Sequence, residues 1–151
     1  MPLLAKMDAL QVHAAAAAIA AAGATFYDVA VGFPVGKGKC VRIFYGGESE
    51  PPHFPDNRVL DAVLIGQKII TRGYWPLSET ATKRQRAMEG EMAVFVSEYR
   101  TRVLGDSQLG GETTDLDMGL AQCEQVEIAK TKYAIVDSEI IVDFDETTLA
   151  P

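Results

Sequence analysis

The segment SETATKRQRAMEGEMAVFVSEYRTRVLG, Ser78 to Gly105, decides how the rest of the chain must fold. Ala81, Gln85, Met88, Met92, Phe95, Val96, Tyr99 and Val103 recur at steps of three and four, and only Gln85 is polar. That spacing predicts a long amphipathic α-helix with one apolar stripe to bury. Ser78 suits the N-cap and Glu79 the positive end of the helix dipole. Gly105 suits the stop, as a residue at ease in the left-handed region.

The segments around this helix supply what it packs on. Leu3 to Ala22 is alanine-rich and predicts a first helix, stopped by Gly23. Leu3, Met7, Leu10 and Ala14 share one strip, continued by Ala17, Ala18 and Ala21, and that small-residue surface suits close internal packing or an interface. The run resembles a signal peptide only superficially: Asp8, Gln11 and His13 interrupt it and alanine is weakly apolar. It is expected to stay in the mature protein and not to span a membrane.

Ala24 to Val31 and Cys40 to Tyr45 read as strands joined by a glycine-rich turn. That turn holds G-x-G without the third glycine or a following helix, so it is not a nucleotide-binding loop. Val59 to Gly73 is rich in β-branched residues, with Gly66 placed for a bulge or a close backbone approach. Trp75, at the corner before the central helix, reads as a core anchor. Beyond the helix, Ala121 to Glu146 forms a second β block. There Val126 and Ile128 alternate with polar residues, and Ala134, Val136, Ile140, Val142 and Phe144 keep one parity. Its turn falls at Lys130 to Lys132 or at Asp137-Ser138. One apolar and one polar face fit an antiparallel sheet covered on one side. The expected architecture is α+β: two helices on one face of a four- or five-stranded, mainly antiparallel sheet, as a single domain over residues 1–151.

Two long connections stand out, 46–58 and 106–119. The first carries His53 and Phe54 among prolines. The second carries Leu109, Asp115 and Asp117 among glycines and is expected to be polar and without regular structure. Asp115 and Asp117 imitate the start of a calcium loop, but no glutamate follows at the twelfth place. Loops of that length are commonly functional, so these five residues are candidate partner contacts.

The 151 residues carry a net charge of −7, which disfavours general binding to a nucleic-acid backbone. Cys40 and Cys123 stand in no metal-binding spacing; two buried free thiols are expected, with a disulfide between them the alternative. His13 and His53 fall in no nucleophile pattern, and the paired acids, such as Asp143 and Asp145, read as an exposed row. No catalytic, cofactor or metal site is therefore expected. The one unusual electrostatic feature is Lys83, Arg84 and Arg86 in the first turns of the central helix, where the dipole disfavours cations. With Glu89 and Glu91 further along, this cluster is the expected subunit-contact surface.

The stretches RVLDAVLIGQKIITRGYW, TKRQRAMEGEMAVFVSEYRTRVLGD and CEQVEIAKTKYAIVDSEIIVDFDE together resemble the tail terminator proteins of long-tailed bacteriophages. The likeness is one of pattern: a strand leads into an amphipathic helix, and a final strand closes in apolar–acidic alternation. It implies a structural virion protein at the tail–neck junction, assembled in the host cytoplasm as a ring, in that family a hexamer. Such a ring caps the tail tube, stops its polymerisation and joins head-completion proteins, while DNA passes through the lumen without specific binding. It implies no cofactor and no membrane partner. Another neck or head–tail joining ring protein is the near alternative, and a small α+β enzyme or ligand-binding domain the distant one.

Overall fold

A computed structural model describes residues 2–22, 38–49, 66–77, 82–111, 113 and 116–143. Helix α1 is Pro2–Ala22, strands β1 and β2 are Cys40–Ser49 and Gly66–Pro76, and helix α2 is Thr82–Leu104. After a 3-10 turn at Leu109–Gly111 come β3 (Leu116–Met118), β4 (Gln122–Ile128) and β5 (Thr131–Asp143). The five strands form one sheet, in the order β1-β2-β5, with β3 and β4 both on the outer edge of β5. Every pairing is antiparallel. This is the expected α+β architecture.

Register explains which side chains meet. Val41 and Ile43 of β1 lie opposite Gly73 and Thr71 of β2, which lie opposite Val136 and Ser138 of β5. Opposed residues share a face, so these positions, with Ile69, Trp75, Ala134, Ile140 and Val142, build the face under the helices. Leu10, Ala14, Ala17 and Ala18 of α1 and Met92, Phe95, Tyr99 and Val103 of α2 bury against it as one core. Of the stripe read from the sequence, Met92, Phe95, Tyr99 and Val103 are buried and Met88 and Val96 half-buried, while the side chains of Ala81 and Gln85 lie outside the described residues. Trp75 is fully buried, edge-on to Phe95, which stacks on Tyr99. The Tyr99 hydroxyl is satisfied by Thr71 Oγ1 at 2.7 Å, and burial pushes its pKa well above the ordinary tyrosine value. Gly73 has a steric reason: a Cβ there would stand 2.6 Å from the Trp75 ring.

The opposite face of the sheet is more polar. Arg72 makes a bidentate pair with Asp137 at 2.7 and 2.8 Å, and Arg42 lies over the Phe44 ring at 4.4 Å. A second, smaller cluster of Cys40, Tyr74, Tyr133 and Ile135 is buried beside them.

Several expectations change in detail. The second connection is not an unstructured polar loop, because two of its leucines are core residues and β3 lies within it. The first four residues of the other connection, 46–49, belong to β1, whose bulge lies between Tyr45 and Gly47 rather than at Gly66. Gly47, at φ 100°, takes a conformation that other residues resist. Helix α2 ends at Leu104 with Gly105 next, as expected, but the Gly105 N–H still donates to Thr101 O at 3.0 Å, and the first positive φ after the helix comes at Leu109. The strand β2 runs on through Tyr74, Trp75 and Pro76. The β4–β5 turn is Ala129-Lys130, and Asp137-Ser138 lies inside β5. The proposed strand 24–31, the cap residues Ser78 and Glu79, Phe144 and Asp145 lie outside the described residues.

Cys40 is buried as expected, but Cys123 is exposed. The two stand on strands at opposite edges of the sheet, with β2 and β5 between them. Three strand spacings of about 4.8 Å far exceed the ~7 Å limit for a bridge, and neither cysteine forms a disulfide.

Candidate interaction surfaces

Among the described residues the core leaves two unlike surfaces open. The first is a groove of about 770 Å³ beside α2. It lies between α2 and the β5–β4 edge of the sheet. Met88, Met92, Ala93 and Val96 form one wall, and Cys123, Gln125, Ala134 and Val136 the floor and far side. Its charged side chains are Arg100, Glu89 and Glu124. Arg100 reaches the chain beyond β3, donating from Nη2 to Gly119 O at 3.0 Å. Leu120, next to the groove residue Ala121, is 83 % exposed. Among the described residues nothing pairs with the outer edge of β4, an arrangement open to a further partner.

The second surface is the outer face of α1. Its inner face carries Lys6, Leu10, Ala14 and Ala17, all buried, and the lysine reaches Gln67 Oε1 at 3.5 Å. On the opposite side Leu4, Val12 and Ile19 are 60, 69 and 62 % exposed. The helix is apolar nearly all round, which is the composition of an element buried on every side. Residues Leu3–Ala21 are also long and apolar enough to cross a membrane, by length and composition only. The two surfaces lie apart: α1 packs between α2 and β1, whereas the groove lies between α2 and β4, at the other edge of the sheet.

The expected subunit-contact residues separate. Arg86 and Glu89 are exposed on α2, and Glu89 lines the groove. Glu91 turns to the other flank of the helix, where it is taken up within the chain. It pairs with Lys39 Nζ at 2.7 Å and accepts the Trp75 indole N–H at 3.2 Å. Lys83 and Arg84 stand in the first turn of α2, and their side chains lie outside the described residues. Of the expected loop contacts, Asp117 is exposed on β3, while His53, Phe54 and Asp115 lie outside the described residues. Leu109 is a core residue, 1 % exposed. It joins the main core from the turn beside α1, with its backbone in the left-handed region at φ 47°. Among the described residues no group of three or more His, Cys, Asp or Glu side chains is placed to hold a metal ion.

Sequence reasoning missed two features. The outer stripe of α1 had a signal, Leu4, Val12 and Ile19 at helical spacing, but the inner strip at equal spacing drew the reading. The other feature is His13, which the sequence shows only as a histidine outside any nucleophile pattern. Its Nε2 in fact lies 2.8 Å from Asp106 Oδ2, tying α1 to the turn after α2. This contact holds the Asp106 carboxyl below the usual carboxylate range, helped by the Gly110 N–H donating to Asp106 Oδ1.

No protein-family model matches this chain, and no curated protein matches it in sequence. Among solved structures, a chain of the virion of a native gene transfer agent particle is similar at a TM-score of 0.45 and 13 % identity. The match covers 89 % of this chain and 95 % of that one. A likeness that loose carries no argument about function or partners.

Proposed function

We propose that this chain is a non-catalytic structural protein of a phage-like virion, and specifically a tail terminator that assembles into a ring. The observation that supports the reading is the pair of unlike apolar surfaces on opposite flanks of one protomer, the α2–β4 groove and the outer face of α1. Two copies joined through different surfaces make a head-to-tail contact, and such a contact closes into a ring when its rotation closes. A ring also gives an otherwise solvated apolar helix face a place to be buried. The sequence pattern shared with tail terminators supplies the rest of the proposal. The ring, a hexamer in that family, sits at the tail–neck junction, caps the tail tube, offers the head-completion proteins a surface and lets DNA through its lumen.

Negative-stain images and native mass spectrometry of the purified chain test the ring. A closed ring of one stoichiometry is the expected result, and a monomer at every concentration tried removes the reading. Mixing the ring with purified tail tubes separates the two assembly roles. Rings seated on tube ends support a terminator; rings that ignore tubes point to another neck or head–tail joining protein.

A further inference from the structure

We infer that the α2–β4 groove is the seat for the outer face of α1 from a second copy of this chain, lying antiparallel to α2. This inference rests on the self-assembly reading above and names the contact that would carry it.

The argument is one of matched order along two helices. The outer stripe of α1 runs Leu4, Asp8, Val12, Ala15, Ile19, steps of four, four, three and four that keep to one face. The groove side of α2, read backwards, runs Leu104, Arg100, Val96, Ala93, Glu89, with the same steps. Antiparallel alignment therefore sets leucine by leucine, aspartate by arginine, valine by valine and alanine by alanine. Ile19 meets the turn of Met88 and Glu89. Leu104 is 51 % exposed, just beyond the groove residues Arg100 and Thr101.

Charge selects this direction. Asp8 is the one charged side chain in the stripe, and Arg100 the one cation lining the groove. In the same alignment Arg86 comes beside the C-terminal end of the incoming α1. That end carries partial negative charge and has no basic residue in its own last turn. A parallel alignment that pairs Asp8 with Arg100 puts Ile19 beyond the end of α2 and loses the apolar match. Antiparallel helices also align their dipoles favourably. The contact gives exposed Arg86 a partner in the neighbouring subunit, and it leaves Glu91 to its internal role.

The chain cannot satisfy this groove with its own α1, which is fixed on the other flank of α2 by its buried face. The contact is therefore between copies and unlike on its two sides.

Charge reversal tests it on the full chain. Asp8→Arg alone and Arg100→Asp alone should each weaken self-association by about tenfold or more, with unchanged circular dichroism. The double variant, which restores the opposed pair between neighbours, should regain most of it. A second test uses Ala15→Cys and Ala93→Cys, in separate chains that both carry Cys123→Ser. Mild oxidation of the mixture should give a disulfide dimer containing one of each, and neither variant alone should form it. Four results would overturn the inference. One is an oligomer that tolerates both single reversals. Another is a double variant no better than the single ones in a folded protein, and a third is an oligomer that gives no mixed cross-link. The fourth is a monomer that binds phosphatidylcholine vesicles through α1 instead of a second copy. In the first three the protein still self-assembles, so the ring reading stands while this contact falls. In the fourth both fall.

Discussion

The two flanks of α2 are built from similar residues and have opposite fates. On the flank towards α1 and β1, Glu91 is taken up by Lys39 and the Trp75 indole, and Trp75, Phe95 and Tyr99 are fully buried. On the flank towards β4, Met88, Met92, Ala93 and Val96 line an open groove with a free thiol at its edge. An apolar residue at helical spacing is thus either core or contact surface. What decides is whether the chain itself supplies a second layer. It does so with α1 on one flank, and among the described residues it supplies nothing comparable over β4.

The sharpest way to break this comparison is to truncate one residue on each flank. Trp75→Ala removes a fully buried indole, and it should lower unfolding stability by about 3–5 kcal/mol, read from urea denaturation. Val96→Ala, in the half-buried wall of the groove, should cost the isolated chain about 1 kcal/mol or less. It should instead weaken self-association. Equal losses of stability at the two positions would mean that the groove is part of the core after all.

A gain of volume on the closed flank is the next test. Gly73→Ala places a Cβ against the rigid Trp75 ring, and overpacking of that kind costs about 1–3 kcal/mol. Combining it with Trp75→Leu should recover part of the loss, because the clash is with the ring. A loss unrelieved in the double variant would place the cause in the backbone of β2.

These contrasts also show what a sequence can reveal. The α+β architecture, the buried stripe of α2 and the parity of β5 were legible, because period and face are properties of neighbouring residues. The role of Glu91 was not, since it depends on Lys39 and Trp75 arriving from two other segments. Leu109 and Leu116 were hidden among glycines and acids, and only the closing of the turn under both helices makes them core. The open groove was illegible for a related reason. Apolar residues of a contact surface and of a core differ in what covers them, and cover is a fact of topology.

The β4–β5 hairpin bounds the open side, and its turn is conformationally costly. Ala129 and Lys130 both take positive φ, 49° and 68°, the pattern of a two-residue turn that favours Asn-Gly. Replacing the pair by Asn-Gly should raise stability by roughly 0.4–1 kcal/mol, measured by thermal unfolding. It should leave self-association unchanged if only the turn is altered. A loss of assembly with increased stability would extend the contact surface from the groove to the hairpin tip.

The smallest expected effect lies at the tie between α1 and the end of α2. The folded Asp106 carboxyl has its pKa depressed by His13 and Gly110. Its contribution is therefore present above the ordinary aspartate value, about 4, and is lost as pH falls through the depressed folded value. Asp106 is exposed enough for solvent to screen the pair, so the effect should be modest. Urea midpoints taken from about pH 6 down to about pH 3 should fall in the natural chain, and Asp106→Asn should flatten that part of the profile. Because α1 is the helix this pair holds in place, the same acid range should also loosen assembly if α1 presents the contact. Assembly that persists while the stability falls would separate the two roles of α1, keeping its inner face as core and moving the contact elsewhere.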